Sequence, residues 1–209
     1  MLGDKARFFQ SLIAAPRAVG AVAPSGRALA RAMARAVGEA GNGFVVELGP
    51  GTGPVTEALL ERGFDRERLI LVEYDPSFCK VLARRFGPAG IIQGDAYDLP
   101  RTLGDFAGRP VVAIVSSLPL LNQPPRRREK LIEDAFALMG PRGLFVQFTY
   151  GLVSPIPREA CEGRYAARRA APVWLNLPPA RVWTYRVAGP DTDREEVPRL
   201  SRRGQGSRK

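Results

Sequence analysis

Short apolar runs alternate with helical patterns along most of the chain. Five runs rich in Val, Ile, Leu or Phe predict buried strands, at 44–48, 69–73, 90–93, 111–116 and 143–149. Three segments between them repeat apolar residues at helical spacing, near 54–62, 76–86 and 125–139. Because strands that alternate with helices are joined by right-handed crossovers, we expect an α/β fold with a mostly parallel sheet covered on both faces.

The two ends of this alternating region have different patterns. Before it, Ser25 is a suitable N-cap for a helix that extends to about Val37. After it, residues 173–176 and 181–187 flank Leu-Pro-Pro and predict a closing antiparallel hairpin. Together with the five runs, these two strands predict a seven-stranded sheet.

The remaining parts of the chain lie outside this pattern. Residues 3–15 carry four apolar side chains on one helical face, at Phe8, Phe9, Leu12 and Ile13. A short amphipathic helix of this kind either packs on its domain or lies in a bilayer interface. The C-terminal end is rich in Arg, Gly and Ser, which is typical of a disordered tail. The sequence predicts a membrane-associating helix in 1–19, one domain in 20–190 and a flexible basic tail in 191–209.

Charge and composition narrow the functional classes. The chain of 209 residues has 31 Lys and Arg against 21 Asp and Glu, a formal net charge of +10. Nucleic acid and an anionic lipid surface both fit a field of this sign. With no histidine and only Cys79 and Cys161, we expect neither a metal site nor a histidine base. No run reaches the roughly 18 to 20 apolar residues of a membrane span, so we expect a cytoplasmic protein.

A glycine-rich loop follows the first predicted strand. The strand ends at Glu47, and Gly49, Gly51 and Gly53 occupy alternate positions after it. Glycines allow sharp turns and a close backbone approach to a ligand, and their N–H groups can point at it. The sequence therefore predicts a nucleotide-type cradle. The spacing G-x-G-x-G and the lack of a second nucleotide-binding half argue against a nicotinamide dinucleotide.

Carboxylates also follow the next two strands. The second strand ends at Glu73-Tyr74, about 20 residues beyond the glycine loop, where a carboxylate can accept both hydroxyls of a ribose. The third ends at Gly94-Asp95-Ala96, where Asp95 can accept the exocyclic amine of an adenine. Since ligands of such sheets bind outside the carboxyl ends of the strands, these groups are expected in one site.

Over nearly all of residues 20–187 the sequence resembles the class I S-adenosylmethionine-dependent methyltransferases. The resemblance implies a Rossmann-like fold, S-adenosyl-L-methionine as cofactor and S-adenosyl-L-homocysteine as product, with Glu47 near the methionine end. It also implies that the last hairpin inserts an antiparallel strand. The expected cofactor contacts are Glu47, Gly49, Gly51, Gly53, Glu73, Tyr74, Gly94, Asp95, Ala96 and Ser116.

Within this class, the chain is similar to small bacterial phospholipid N-methyltransferases. The strings that carry the resemblance include Gly20-Ala21-Val22-Ala23-Pro24-Ser25, Leu118-Pro119-Leu120-Leu121-Asn122 and Gln147-Phe148-Thr149-Tyr150-Gly151. It implies methylation of phosphatidylethanolamine and its mono- and dimethyl derivatives toward phosphatidylcholine. The implied location is the inner face of the cell membrane, to which the protein would bind peripherally. Neither a metal nor an obligate protein partner is expected.

The resemblance places the segment after the fourth strand beside the departing methyl group. Ser117, the carbonyl of Leu118 and Asn122 are the expected contacts of an incoming amine there, with Tyr150 at the end of the fifth strand. Tyr150 can also stabilise a quaternary ammonium through a cation–π contact. Two arginines, Arg164 and Arg168, are expected on a helix beside the site, where they can bind the lipid phosphate or simply face solvent.

Two other functions fit parts of the sequence. An RNA adenine N6-methyltransferase shares the sheet and the basic charge. Enzymes that methylate adenine in nucleic acid place an aromatic residue after the proline of this loop, as a stacking platform for an extruded base. Leu120 occupies that position here, which argues against nucleic acid as partner. The other alternative is a noncatalytic membrane-surface protein that has kept the fold.

Overall fold

One seven-stranded sheet organises the computed structural model, which describes residues 24–39, 41–106, 108–174 and 179–189. Its strands are β1 (Phe44–Leu48), β2 (Leu69–Glu73), β3 (Ile91–Gln93), β4 (Val111–Ser116), β5 (Leu144–Thr149), β6 (Tyr165–Arg169) and β7 (Arg181–Val187). They lie in the order β3-β2-β1-β4-β5-β7-β6. The first five are parallel, and β7 is antiparallel to β5 and β6.

Helices cover both faces of the sheet. They are α1 (Pro24–Val37), α2 (Pro54–Glu61), α3 (Pro76–Phe86), α4 (Leu99–Thr102), α5 (Pro125–Met139) and α6 (Arg158–Cys161). The start of α3 shows why the sequence specifies these bounds. Asp75 accepts a hydrogen bond from the Ser77 N–H at 2.7 Å, and Pro76 occupies the first turn. In the part of the chain that the structure describes, no helix is both long and apolar enough to span a bilayer.

Two apolar layers pack against the sheet because side chains alternate along each strand. On one face, α1, α2 and α3 cover side chains such as Val45 and Val146. On the other, α4, α5 and α6 cover side chains such as Val46 and Phe145. The resulting three-layer α/β arrangement confirms the expected fold class. It also leaves the carboxyl ends of β1, β2, β4 and β5 at one edge of the sheet.

The C-terminal hairpin differs from the expectation in its first strand. Residues 181–187 form β7 as expected, but its partner is Tyr165–Arg169. Val173 makes only an isolated antiparallel bridge with Ala180. The expected helix with Arg164 and Arg168 is therefore wrong, because pairing with β7 determines the conformation there. The amphipathic helix expected in 3–15 and the tail expected in 191–209 lie outside the described residues.

Candidate active site

A cleft of about 380 Å³ opens at the carboxyl edge of the sheet. We call it the first cleft. Expected residues from three strand ends line it: Gly49 and Gly51 after β1, Glu73 and Tyr74 at β2, and Asp95 and Ala96 after β3. Ser117 and Leu118 form another part of its wall, after β4. The parallel strands thus bring together groups that are separated by up to about 70 positions in the sequence.

Two glycines of the loop are required by their backbone and their packing. Gly49 has φ of +67°, and a Cβ there would lie 2.9 Å from Cδ2 of Leu118. Gly53 has φ of +84°, and a Cβ would lie 2.4 Å from Cε2 of Phe86. Residues with a side chain rarely adopt such φ values, so glycine is the residue that permits this turn. Gly49 lets the loop after β4 approach the loop after β1.

Glu73 fixes the shape of the glycine loop from the neighbouring strand. Its Oε2 accepts a hydrogen bond from the Gly51 N–H at 2.9 Å, and its Oε1 accepts one from the Asp75 N–H at 3.0 Å. Each carboxylate oxygen retains further acceptor capacity. Glu73 can therefore hold the loop and still accept ribose hydroxyls from the cleft.

Asp95 lies in a polar cluster at the other end of the first cleft. Its Oδ1 accepts from the Tyr97 N–H at 2.8 Å, and its Oδ2 pairs with Arg127 at 3.4 Å. The Arg127 guanidinium also lies 4.3 Å from the centre of the Tyr97 ring. Burial raises the pKa of Tyr97 to about 12, so its hydroxyl stays protonated at neutral pH. These contacts brace the turn that carries Asp95 and Ala96.

Glu47 lies behind the glycine loop and is 1% exposed. Its Oε2 accepts a hydrogen bond from the Thr56 hydroxyl at 2.6 Å, while its buried Oε1 has no partner among the described residues. Burial raises the pKa of Glu47 to about 8; the Thr56 hydrogen bond opposes the shift, and the nearby Glu73 adds to it. Glu47 does not itself line the first cleft, but the ammonium group of an amino acid bound beside this loop would favour its ionised form and supply the donor that Oε1 lacks.

A second pocket of about 270 Å³ adjoins the first cleft, and Pro119 lines both. We call it the acceptor pocket. It contains both Asn122 and Tyr150, which the sequence predicts as amine contacts. The Tyr150 ring packs edge-on against Phe148, with centroids 5.5 Å apart. None of the described side chains that line this pocket is charged, so the pocket suits a neutral group attached to an apolar molecule.

Gln147 determines the position of the loop between the two pockets. This fully buried side chain donates from Nε2 to the carbonyls of Leu118 at 2.9 Å and Phe148 at 2.7 Å. The Leu118 carbonyl also accepts from the Leu120 N–H at 2.9 Å. Both of its lone pairs are engaged, so the expectation that this carbonyl receives the amine is corrected. Pro119 lines both pockets, and its carbonyl takes that place as a candidate, because it accepts one hydrogen bond, from the Asn122 N–H at 3.0 Å, and retains a second lone pair.

Several other expected contacts lie behind the walls of the first cleft or away from it. Gly94 packs against Thr102, and the buried Ser116 accepts from the Leu118 N–H at 3.4 Å. Arg164 lies at the opposite edge of the sheet, where it pairs with Glu129 and Glu133. Its expected role as a phosphate ligand is corrected, because these carboxylates neutralise it there. Arg168 lies on the edge strand β6, which β7 separates from β5.

Some lining residues were not expected from the sequence. Thr52, Phe78, Gln123 and Arg127 line the first cleft, and Pro155 lines the acceptor pocket. The run Arg126-Arg127-Arg128 is typical of a solvent-exposed helix start. Nothing in its spacing marks Arg127 as the arginine that lines a cleft. Gln147 could have been singled out from the sequence, because a side-chain amide inside the apolar strand Leu144–Thr149 must find a buried hydrogen-bond partner.

Comparison with known proteins supports the fold and a methyltransferase activity. No protein-family model matches the chain. It is 32% identical over 135 residues to ornithine lipid N-methyltransferase of Singulisphaera acidiphila, which covers 63% of this chain and 70% of that protein. It is also 47% identical over 63 residues to a probable ribosomal RNA small subunit methyltransferase A of Methanospirillum hungatei. That match covers 27% of this chain and 23% of the relative.

Solved structures share the fold at low sequence identity. TrmN from Thermus thermophilus superposes with a TM-score of 0.58 at 20% identity, over 77% of this chain and 48% of TrmN. The chain thus spans about half of TrmN. A TehB-like SAM-dependent methyltransferase from Corynebacterium glutamicum gives 0.57 at 16% identity, over 90% and 98% of the two chains. By its fold and by the relationship to the Singulisphaera protein, the chain belongs to the class I S-adenosylmethionine-dependent methyltransferases, in the family that includes lipid N-methyltransferases.

Proposed function

We propose that the protein methylates the amine of a membrane-lipid headgroup, with S-adenosylmethionine as the methyl donor. The observation that carries this proposal is the uncharged acceptor pocket joined to the first cleft at Pro119. The similarity to ornithine lipid N-methyltransferase supports an amine-bearing lipid as substrate. The resemblance in the sequence favours phosphatidylethanolamine and its mono- and dimethyl derivatives. Both lipids present a primary amine on an amphipathic molecule.

The first cleft supplies the donor side of the reaction. In the proposal, Glu73 would accept the ribose hydroxyls, Asp95 and Ala96 would contact the adenine, and the N–H groups of the glycine loop would face the ligand. Glu47 receives the ammonium group of the methionine part. When bound, S-adenosylmethionine supplies an electrophilic methyl group, so the chain needs no metal and no strong base for activation.

The acceptor pocket supplies alignment and exclusion of water. The amine attacks in its neutral form: its nitrogen lone pair forms the new N–C bond as the C–S bond breaks. An apolar wall favours this neutral form, because an unpaired charge is costly to bury there. Asn122 and the Pro119 carbonyl can accept hydrogen bonds from the amine. The proton then leaves through solvent or an anionic group of the lipid.

Tyr150 has a second proposed role as methyl groups accumulate. A trimethylated nitrogen carries a permanent charge and no N–H, so hydrogen-bond acceptors no longer hold it. The face of an aromatic ring can stabilise such a cation by about 0.5 to 2 kcal/mol. We propose that Tyr150 provides this face in the last round of methylation.

An RNA substrate is the alternative that the 63-residue match favours. In the described structure Leu120 is 2% exposed and packs into the core, so its side chain offers no stacking surface to an extruded base. The acceptor pocket is also uncharged and lined largely by apolar side chains, which suits a lipid better than a base. These two observations favour the lipid amine over the base.

One assay compares these substrates directly. Purified full-length protein is given radiolabelled S-adenosylmethionine with vesicles of phosphatidylethanolamine, with vesicles of ornithine lipid, or with ribosomal RNA. We expect label in at least one lipid and none in RNA, and Tyr150→Phe should retain more activity on a dimethylated lipid than Tyr150→Ala. Label in RNA alone would sink the proposal. Label in neither lipid, from protein that binds S-adenosylhomocysteine, would also reject it.

Membrane recruitment belongs to the same proposal. Residues 1–19 and the basic tail would associate with an anionic lipid surface, since one weak anchor seldom suffices. Deletion of residues 1–15 should weaken binding to anionic vesicles far more than binding of S-adenosylhomocysteine. Unchanged vesicle binding by the truncated protein would rule out this role for the segment.

A further inference from the structure

Large exposed hydrophobic side chains of the described residues are confined to one edge of the sheet. They are Tyr74, Leu121, Leu152, Val153 and Trp174. Tyr74 follows β2, and Leu121 follows β4. Leu152 and Val153 follow β5, so they lie at the same edge. Single exposed apolar residues are ordinary on a protein surface, but their confinement to the edge that carries both pockets is not.

The sheet register places Trp174 at this edge as well. Trp174 follows Val173, which bridges to Ala180. Ala180 precedes Arg181, and Arg181 pairs with Thr149, the last residue of β5. Val173 and Trp174 therefore lie beyond the end of β5, on the side of the acceptor pocket. Tyr74 lies on the other side, at the first cleft.

We propose that Leu121, Leu152, Val153 and Trp174 form a docking surface that lies on an anionic lipid bilayer and holds the acceptor pocket against it. We call these four residues the apolar rim. The inference rests on the proposed function, which it deepens by naming the surface that delivers the substrate. Leu121 belongs to both the rim and the pocket wall, so the rim is continuous with the pocket.

Chemistry favours a bilayer as the occupant of this surface. Leu152, Val153 and Trp174 are 71%, 67% and 73% exposed, and all three lie in loops. Separate projecting side chains insert among lipid headgroups and acyl chains without a complementary shape, and Trp is enriched at such interfaces. A lipid substrate must also enter its pocket from the bilayer without exposing its acyl chains to water.

Positive charge near the rim supports an anionic surface. Arg126 is exposed at the start of α5, four positions after the turn Leu120–Asn122 that carries Leu121. The whole chain has a formal net charge of +10. A basic group near a bilayer strengthens binding to anionic lipid, and apolar contacts alone give weak attachment.

The first test removes the rim while leaving the pocket lining intact. The triple variant Leu152→Ser, Val153→Ser, Trp174→Ser is compared with wild type on sedimented vesicles of equal parts phosphatidylcholine and phosphatidylglycerol. We expect the partition coefficient to fall by about 30-fold, because three apolar side chains no longer insert. Arg126→Glu should also weaken binding, whereas Arg142→Glu, an exposed arginine at the opposite edge, should not. Wild-type partitioning by the triple variant would overturn the proposal.

Tryptophan emission gives a second, direct measurement. The chain has two tryptophans, so in the Trp183→Phe variant Trp174 is the sole reporter. On addition of the same vesicles we expect its emission to shift to shorter wavelength and to be quenched by brominated acyl chains. Emission that stays unchanged while the protein sediments with vesicles would overturn the proposal. So would a full-length protein that does not bind these vesicles.

Failure of this inference is distinguishable from failure of the proposed function. The triple variant should methylate a short-chain phosphatidylethanolamine or ornithine lipid at the wild-type rate. The lipid is supplied below its critical micelle concentration, so no membrane surface is needed. Loss of that activity together with loss of vesicle binding would mean that the rim maintains the pocket, and would overturn the docking role. If wild type methylates neither lipid, the proposed function fails. If the triple variant changed the oligomeric state and left vesicle binding intact, the rim would join two copies of the chain. That result would overturn the docking role.

Discussion

The backbone N–H of Gly51 donates to Oε2 of Glu73 at 2.9 Å, across the ends of β1 and β2. This bond links the two elements that the cofactor is proposed to bridge. Because the other Glu73 oxygen accepts from Asp75, one carboxylate orders both turns at the edge of the sheet. The glycine loop is thereby held in shape by the same side chain that is proposed to bind the ribose.

Replacement of Glu73 should therefore weaken cofactor binding in two ways. Glu73→Ala removes the ribose acceptor and the anchor of the loop, so we expect the affinity for S-adenosylhomocysteine to fall by about 100-fold, as for the loss of one or two charge-assisted hydrogen bonds. Glu73→Gln should give a smaller loss, because one oxygen remains. Isothermal calorimetry measures both. Glu67→Ala, an exposed carboxylate before β2, serves as control and should bind as wild type does.

Gly53 should be more sensitive to substitution than another glycine with the same backbone conformation. Gly53→Ala combines a φ of +84° with a Cβ only 2.4 Å from Phe86, so the glycine loop and α3 must separate. Gly63→Ala has a φ of +88° and open space around it. We expect Gly63→Ala to lower the free energy of unfolding by about 1 to 2 kcal/mol, and Gly53→Ala to lower it further. Urea unfolding measures the difference.

Only Gly53→Ala should also weaken the binding of S-adenosylhomocysteine, because Gly63 lies away from the cleft. Equal losses of stability in the two variants would show that the contact with Phe86 yields easily. Phe86 would then not require glycine at position 53, and only the positive φ would.

The central strands and their adjoining helices follow from the sequence because their patterns are local. The bounds of β1, β2, β4, α3 and α5 agree with the apolar runs, the prolines and the glycines that delimit them. The exposed edge strand β6 has no such pattern. Its sequence, Tyr-Ala-Ala-Arg-Arg, favours a helix by propensity, and only pairing with β7 makes it a strand.

The donor side of the candidate site was more predictable than the acceptor side. Parallel strands bring their carboxyl ends together, so Glu73 and Asp95 could be assigned to one edge from order alone. The acceptor pocket depends on how the loop after β4 packs beside the loop after β5. That packing engages the Leu118 carbonyl through Gln147, which spacing along the chain does not reveal.

The pKa of Glu47 predicts how stability changes with pH. Burial raises this pKa from its ordinary 4.5 to about 8, so the folded protein holds the proton more tightly than the unfolded chain does. The stabilisation is fully present below about pH 4.5 and is lost as pH rises through about 8. We expect the thermal midpoint of wild type to fall, relative to that of Glu47→Gln, between pH 5 and pH 9.

Glu47→Gln is a suitable reference because its amide does not titrate and can still accept from the Thr56 hydroxyl. Differential scanning calorimetry without ligand measures both proteins across the range. Parallel curves for the two proteins would mean that the Glu47 carboxyl is ionised throughout, and that solvent reaches it.

Gln147 should control the rate of methyl transfer more than the binding of the cofactor. Its Nε2 holds the Leu118 carbonyl, and so fixes the loop that separates the first cleft from the acceptor pocket. Gln147→Leu keeps the strand apolar but removes this donor, and the loop then samples positions in which the amine is misaligned. We expect kcat to fall by about tenfold or more, a size typical of lost alignment. The affinity for S-adenosylhomocysteine should change by less than about twofold.

Radiolabel assays and calorimetry on the same preparations separate these two effects. Gln93→Leu, an exposed glutamine at the end of β3, makes the same chemical change without the loop contact and should leave kcat unaltered. The two variants should also differ in KM for lipid, which rises only where the pocket wall has moved. If Gln147→Leu lost cofactor affinity and kcat in equal proportion, Gln147 would support the whole edge of the sheet and would not specifically position the loop.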